Sequence, residues 1–145
     1  MAGPFVVDAS VILNAFNPKE AGSETSQNLL RLLQERGMPV IAPTLLLVEA
    51  AATISRGQNN PELARQFAET LPRLPNLMLV PLDQSLAMQA VEVASYHRLR
   101  GSDAVYAAVA QRFACPLITL DREQHERAAS LLKTYFPAEV LSAME

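Results

Sequence analysis

The sequence predicts an α/β protein built on a parallel sheet covered by helices on both faces. Three observations carry this. Four short apolar runs, Phe5–Val7, Pro39–Ala42, Leu77–Val80 and Pro116–Leu120, read as buried strands. Stretches of helical periodicity separate them. No Asn-Gly or Asp-Gly hairpin signal joins any two, so the connections are crossover helices, which run right-handed between parallel strands.

Phe5-Val6-Val7 stops at Asp8, and Ser10 is placed as the N-cap of a helix over Val11–Phe16. Asn17–Ser23 is a loop, with Ser23 as the cap of the next helix. That helix, Glu24 to Arg36, carries Leu29, Leu30, Leu32 and Leu33 on one side and is stopped by Gly37. After the second strand, Pro43 suits the first position of a helix. The helix from Thr44 to Arg56 is apolar nearly all round, which predicts burial, and Gly57 ends it. A turn at Gln58–Pro61 leads into an amphipathic helix to Leu71, and Pro72 and Pro75 punctuate the approach to the third strand.

Asp83 caps a helix to Arg98 with Leu86, Ala90, Val93, Ala94 and His97 along one stripe. Leu99–Ser102 is a tight connection. Asp103 opens a small-residue helix to Phe113. The fourth strand ends at Asp121, and a polar helix runs from Glu123 to Lys133. Tyr135–Met144 reads equally well as a last edge strand or a short helix. Neither a repeat nor a linker interrupts the chain, so residues 1–145 are read as a single domain.

Half of the residues are hydrophobic and 19% are charged, ordinary for a globular protein. A net charge of -3 excludes a broad basic footprint for duplex nucleic acid. It leaves room for a nucleic-acid enzyme, because bound cations can bridge phosphate to carboxylate. The one cysteine, Cys115, excludes an intrachain disulfide and a cysteine-based zinc site. Met1–Pro4 has no basic region, Asp8 comes too early for a signal peptide, and no run spans a bilayer. The expectation is a cytoplasmic protein with no membrane contact.

Four acids stand out. Asp8 and Asp121 end two different strands, Asp103 heads a helix, and Glu49 lies within the most apolar helix of the chain. Each has a plain structural reading. Asp8 caps the first helix. Asp103 is a first-turn acid, worth ~0.3–1 kcal/mol. Asp121 is a turn residue. Glu49 shares a thin solvent face with Thr53 and Arg56. Together they read differently, because three of them fall at the carboxyl edge of a parallel sheet, where ligands of α/β proteins bind. A buried glutamate is costly unless it is paired or holds a metal. Clustered carboxylates repel and take up protons or a cation. Oxygen-only ligands suit Mg²⁺ or Mn²⁺, which activate water and polarise phosphoryl oxygens without a side-chain nucleophile.

With these residues in view, the chain resembles the PIN-domain proteins, and among them the small VapC-type toxin ribonucleases of type II toxin–antitoxin pairs. The likeness runs through nearly the whole chain. An apolar strand ending in Asp-x-Ser matches Val6-Val7-Asp8-Ala9-Ser10. A helical glutamate followed by small residues matches Leu47-Val48-Glu49-Ala50-Ala51. An acid heading an alanine-rich helix matches Asp103-Ala104 onward to Ala110, and Thr-x-Asp after a strand matches Thr119-Leu120-Asp121. The resemblance implies a three-layer α/β/α sandwich with a mostly parallel sheet of four or five strands. It implies a Mg²⁺- or Mn²⁺-dependent endonuclease acting on single-stranded RNA, a homodimer, and a cognate antitoxin that covers the site. It further implies that Asp8, Glu49, Asp103 and Asp121 form a catalytic, metal-binding pocket, with Ser10 and Thr119 as supporting hydroxyls. The segment from Gln58 to Asn76 carries nothing specific to the family.

Arg98, Arg100 and Arg122 are close in sequence to the acids and suit either phosphate steering or ordinary helix-end solvation. His125 and Arg127 are placed on a solvent face, His97 is partly buried, and Cys115, Tyr106 and Phe16 are core residues. A PIN-like module that binds RNA or protein without catalysis is the alternative, and the complete acid set speaks against it. A receiver domain needs an acid after the third strand, where Pro81 stands, and a haloacid-dehalogenase phosphatase needs an aspartate where Ser10 stands.

Overall fold

The computed structural model describes residues 3–145. Met1 and Ala2, part of the opening read above as leaderless and of the single-domain reading, lie outside the described residues. The chain runs β1 (Phe5–Val7), α1 (Ala9–Ala15), α2 (Ser23–Glu35), β2 (Val40–Pro43), α3 (Leu45–Gln58) and α4 (Pro61–Thr70). A 3-10 turn at Leu71–Arg73 precedes β3 (Leu77–Val80), α5 (Gln84–His97) and α6 (Gly101–Arg112). Then come β4 (Leu117–Ile118), α7 (Arg122–Ala128), β5 (Thr134–Tyr135) and α8 (Pro137–Met144).

The sheet has five strands in the order β3-β2-β1-β4-β5, and every pairing is parallel. Helices flank it in the expected α/β/α arrangement. Phe5, Val6, Val7, Leu117 and Ile118 are fully buried, so the sheet's centre is the core of the molecule. The chain winds from β1 outward through β2 to β3, then returns to the other side of β1 for β4 and β5. The direction therefore reverses between β1 and β4. That crevice at the carboxyl ends is where doubly wound sheets bind their ligands. The ambiguous tail resolves into both of its readings, since β5 is an edge strand and α8 a helix starting at Pro137.

Several local expectations are corrected. Asp8, not Ser10, caps α1, because its carboxylate accepts the Ser10 backbone N–H at 2.9 Å. Ser23 is the first helical residue of α2, and Gly22, left-handed at φ 81°, holds the cap position. Pro43 ends β2 instead of opening α3. Helix α3 passes through Gly57 to Gln58 and is stopped by Asn59 in the left-handed region, at φ 49°. The helix after β4 is shorter than expected, ending at Ala128.

Two corrections concern burial. In α3 only Leu46 and Ala50 are buried, and Val48 is 67% exposed. The helix packs chiefly on α4, with lesser contacts to α1 and β2, which leaves its outer apolar side bare. Phe16 is exposed, edge-to-face with Phe67 at 4.6 Å, instead of in the core. Tyr106 is in the core as expected, and His97 is half-buried beside Ser130. His125 is not on a solvent face, because its ring stacks on Phe136 at 4.1 Å.

Candidate active site

Asp8 and Asp121 stand just beyond β1 and β4, on either side of the sheet's reversal point. Asp103 reaches the same crevice from the first turn of α6, a helix that lies against β1, β2 and β4. Glu49 enters from α3. The four carboxyls are close enough to act on one another. The charge of Asp121 bears on Asp8, those of Asp8 and Asp103 bear on Glu49, and those of Asp8 and Asp121 bear on Asp103.

Each acid has its own partners. Asp8 accepts the Ser10 N–H and, at 3.3 Å, the Gln124 side-chain amide. Glu49 accepts the Tyr106 hydroxyl at 2.7 Å. Asp103 accepts the Arg100 guanidinium at 3.0 Å, and the same guanidinium donates to Asp121. Asp121 also caps α7 by accepting the Gln124 backbone N–H at 2.9 Å. So the capping roles of Asp8 and Asp121 are real. They leave other oxygen lone pairs of both carboxylates turned to the crevice's chemistry, since a carboxylate has about four acceptor sites.

Ser10 and Thr119 tie the two strand ends together. The Ser10 hydroxyl accepts the Leu120 N–H at 3.1 Å and lies 3.5 Å from the Thr119 hydroxyl. Thr119 accepts the Asp121 N–H at 3.0 Å and donates to Gln124 Oε1 at 2.6 Å. Gln124 is the residue that sequence reasoning missed. It is wholly buried, and its amide spans Thr119, Asp8 and the Asp103 carbonyl. The spacing Asp121-x-x-Gln124 is that of a capping box, but the Gln124 side chain bonds Thr119, Asp8 and the Asp103 carbonyl instead of the cap's backbone, whose N–H goes to Thr119.

Burial pushes the Asp8, Glu49 and Asp103 carboxyls above their ordinary values. Hydrogen bonds from Ser10 and Gln124, from Tyr106, and from Arg100 respectively work against that rise without cancelling it. Asp121 goes the other way. Burial raises it, but the Gln124 N–H and the Arg100 guanidinium hold it below its ordinary value. Three carboxyls that resist ionisation in one crevice mark a place where a cation would be welcome. Among the described residues, no three Asp, Glu, His or Cys side chains are grouped closely enough to hold a metal ion as they stand. The donors nevertheless fit a hard divalent cation, being carboxylate oxygens backed by hydroxyls and an amide. Arg100 bonds both Asp103 and Asp121, and Tyr106 bonds Glu49. Of the other arginines, Arg98 and Arg122 are exposed, at the end of α5 and the start of α7.

Fold and site together define a doubly wound α/β protein with an acid-lined crevice at the reversal point of its sheet. The chain belongs to the PIN domain family, whose model matches residues 5–130. PIN domains are in general nucleases. Solved structures share the fold at low identity. One is FitAB bound to an IR36 DNA fragment, with 19% identity, TM-score 0.72, and coverage of 93% of this chain and 96% of that one. Another is VapC20 of Mycobacterium tuberculosis, a sarcin–ricin loop cleaving toxin, with 19% identity, TM-score 0.70, and coverage of 85% and 94%. A third is a toxin–antitoxin complex from Klebsiella pneumoniae, with 17% identity, TM-score 0.67, and coverage of 92% and 98%. No curated protein matches the sequence at a significant level. No helix among the described residues is long and apolar enough to cross a membrane.

Proposed function

We propose that this chain is a single-domain, Mg²⁺- or Mn²⁺-dependent endoribonuclease that hydrolyses single-stranded RNA. In this reading it is the toxin of a toxin–antitoxin pair, working in the cytoplasm as a homodimer and silenced by a cognate antitoxin. The observation that carries the reading is the meeting of Asp8, Glu49, Asp103 and Asp121, from four separate elements, in one electrostatically coupled crevice. Membership of the PIN family supports nuclease chemistry. The toxin and toxin–antitoxin structures of the same fold support the biological setting.

Asp8 and Asp103, the two most buried of the four, are the principal ligands in this proposal, with Asp121 and Glu49 completing the shell directly or through water. Ser10, Thr119 and Gln124 hold the strand ends and the Asp8 carboxylate in place. Tyr106 orients Glu49. A bound divalent ion supplies a water of lowered pKa and charge neutralisation at the phosphoryl oxygens. Arg98 and Arg122, both exposed and close in sequence to the acids, suit contacts with RNA phosphates.

The test is direct. Purified protein cuts single-stranded RNA with Mg²⁺ or Mn²⁺ and stops with EDTA, and Asp8→Asn removes cleavage while circular dichroism shows an intact fold. Full activity in Asp8→Asn would place the chemistry elsewhere.

A further inference from the structure

The acids of the crevice have two kinds of partner. Gln124 and Tyr106 are wholly buried and cannot leave without opening the core. Arg100 is different. Its side chain is 59% exposed, yet it closes a fork across Asp103, at 3.0 Å, and Asp121. It is the only side-chain cation among the described residues that contacts any of the four carboxylates. Its position allows this. Arg100 is the residue before α6, in an extended conformation, and its side chain makes no cap bond there, so it is free to reach forward to Asp103.

We propose that Arg100 is a built-in counter-ion, which closes the acid crevice when no metal is present and must swing out to admit a divalent cation. Arg100 therefore sets the metal affinity of the site. The inference rests on the reading of the crevice as a metal site.

The charges explain why such a device belongs here. The charge of Asp121 raises the cost of ionising Asp103, and with Asp8 and Glu49 nearby the crevice gathers several negative charges in want of a counter-ion. A planar guanidinium satisfies two carboxylates at once with its fork of donors. The guanidinium end of the pair is exposed to solvent, so the arginine can leave without opening the core. A divalent cation brings twice the charge to the same oxygens and outcompetes it. With Arg100 in place, the Asp103 and Asp121 oxygens are committed to the guanidinium.

The experiment titrates Mn²⁺ alone into wild-type protein, Arg100→Lys and Arg100→Gln. Free ion is counted by electron paramagnetic resonance, and Tm is followed in parallel. Loss of a merely structural residue would weaken metal binding. Here Arg100→Gln binds Mn²⁺ roughly three- to tenfold more tightly than wild type, because a competing positive charge is gone. Arg100→Lys, which keeps the charge but loses the fork, falls between them. Without metal, Arg100→Gln melts below wild type, and Mn²⁺ raises its Tm by the larger amount. If wild type binds Mn²⁺ and Arg100→Gln binds equally or more weakly, the counter-ion role is overturned and the metal-site reading stands. If Arg100→Gln does not fold, Arg100→Lys decides by the same criterion. If none of the proteins binds Mn²⁺, the metal-site reading falls and this inference falls with it.

Discussion

Helices α3 and α6 are both rich in apolar residues, Leu and Ala in α3, Ala and Val in α6, and meet opposite fates. In α6 every residue from Asp103 to Ala110 is buried. The helix lies on β1, β2 and β4 and is covered on its other side by α5, so it is enclosed all round. Its alanines permit that close approach. In α3 only Leu46 and Ala50 are buried, and the helix leans on α4 at the margin of the sheet. Apolar composition therefore states a capacity for burial, and place in the fold decides how much is used. The site inherits the difference. Asp103 sits on the enclosed helix, whereas Glu49 comes from the less buried one and accepts the hydroxyl of Tyr106, itself a residue of α6. In effect, α6 positions both acids.

The sharpest way to break that comparison is at the acids themselves. Asp103→Asn lowers RNA cleavage by at least roughly 100-fold, the scale of losing a group that stabilises developing charge. Glu49→Gln, which keeps an acceptor for Tyr106, loses less. Rates measured side by side under saturating Mn²⁺ check this, and equal losses would mean that the two helices serve the site alike.

Next in size is packing. Ala108 is fully buried. Ala108→Leu forces extra methylenes between α6 and its neighbours and costs ~1–3 kcal/mol in urea unfolding. Ala52→Leu, on the exposed side of α3, stays within about 0.5 kcal/mol. A large cost at both positions would show that α3 is as tightly enclosed as α6.

Much of this was legible in the sequence, and the limits were physical. The parallel sheet followed from apolar runs with crossover helices; three acids stood out at strand and helix ends, and Glu49 as a charge within an apolar helix. The burial of α3 was misread because helical periodicity cannot say whether a neighbour exists on each face. Cap residues were misassigned at Ser10 and Ser23 because adjacent candidates compete, and backbone geometry chose Asp8 and Gly22. Gln124 was overlooked because glutamine on a charged helix looks solvated until the fold encloses it. The fork of Arg100 across residues 18 positions apart, Asp103 and Asp121, is a tertiary fact that local sequence does not encode.

A pH experiment sharpens the contrast between the acids. A carboxyl whose native pKa is raised keeps its proton in the folded state after the unfolded chain has released it. Its burden on stability is absent near the unfolded value and grows as pH rises through the native one. For Glu49, buried and facing Asp8 and Asp103, the unfolded value is 4.5. Metal-free Glu49→Gln is therefore more stable than wild type near neutral pH, and the advantage disappears as pH falls to about 4. Asp121, held low, behaves in reverse: its contribution is present above 3.8 and lost as pH falls through its lowered native value. Asp121→Asn is accordingly the less stable protein near neutral pH. Tm measured in EDTA across this range for both variants checks the signs. Saturating Mn²⁺ reverses the Glu49 result, because the ion then neutralises the charge that burial had penalised.

The smallest expected effect lies on the bare side of α3. Val48 is 67% exposed, so in the isolated chain little apolar surface is lost when it is replaced. Val48→Asp changes the unfolding free energy by less than about 0.5 kcal/mol in dilute solution. The informative variable is protein concentration. If wild-type Tm rises with concentration and that of Val48→Asp does not, the face is covered when copies associate, by mass action on the folded state. The contrast between the two helices would then hold for the single chain only, and α3 would complete its burial in the assembly. If both proteins melt alike at every concentration, the apolar side of α3 stays bare between copies of this chain.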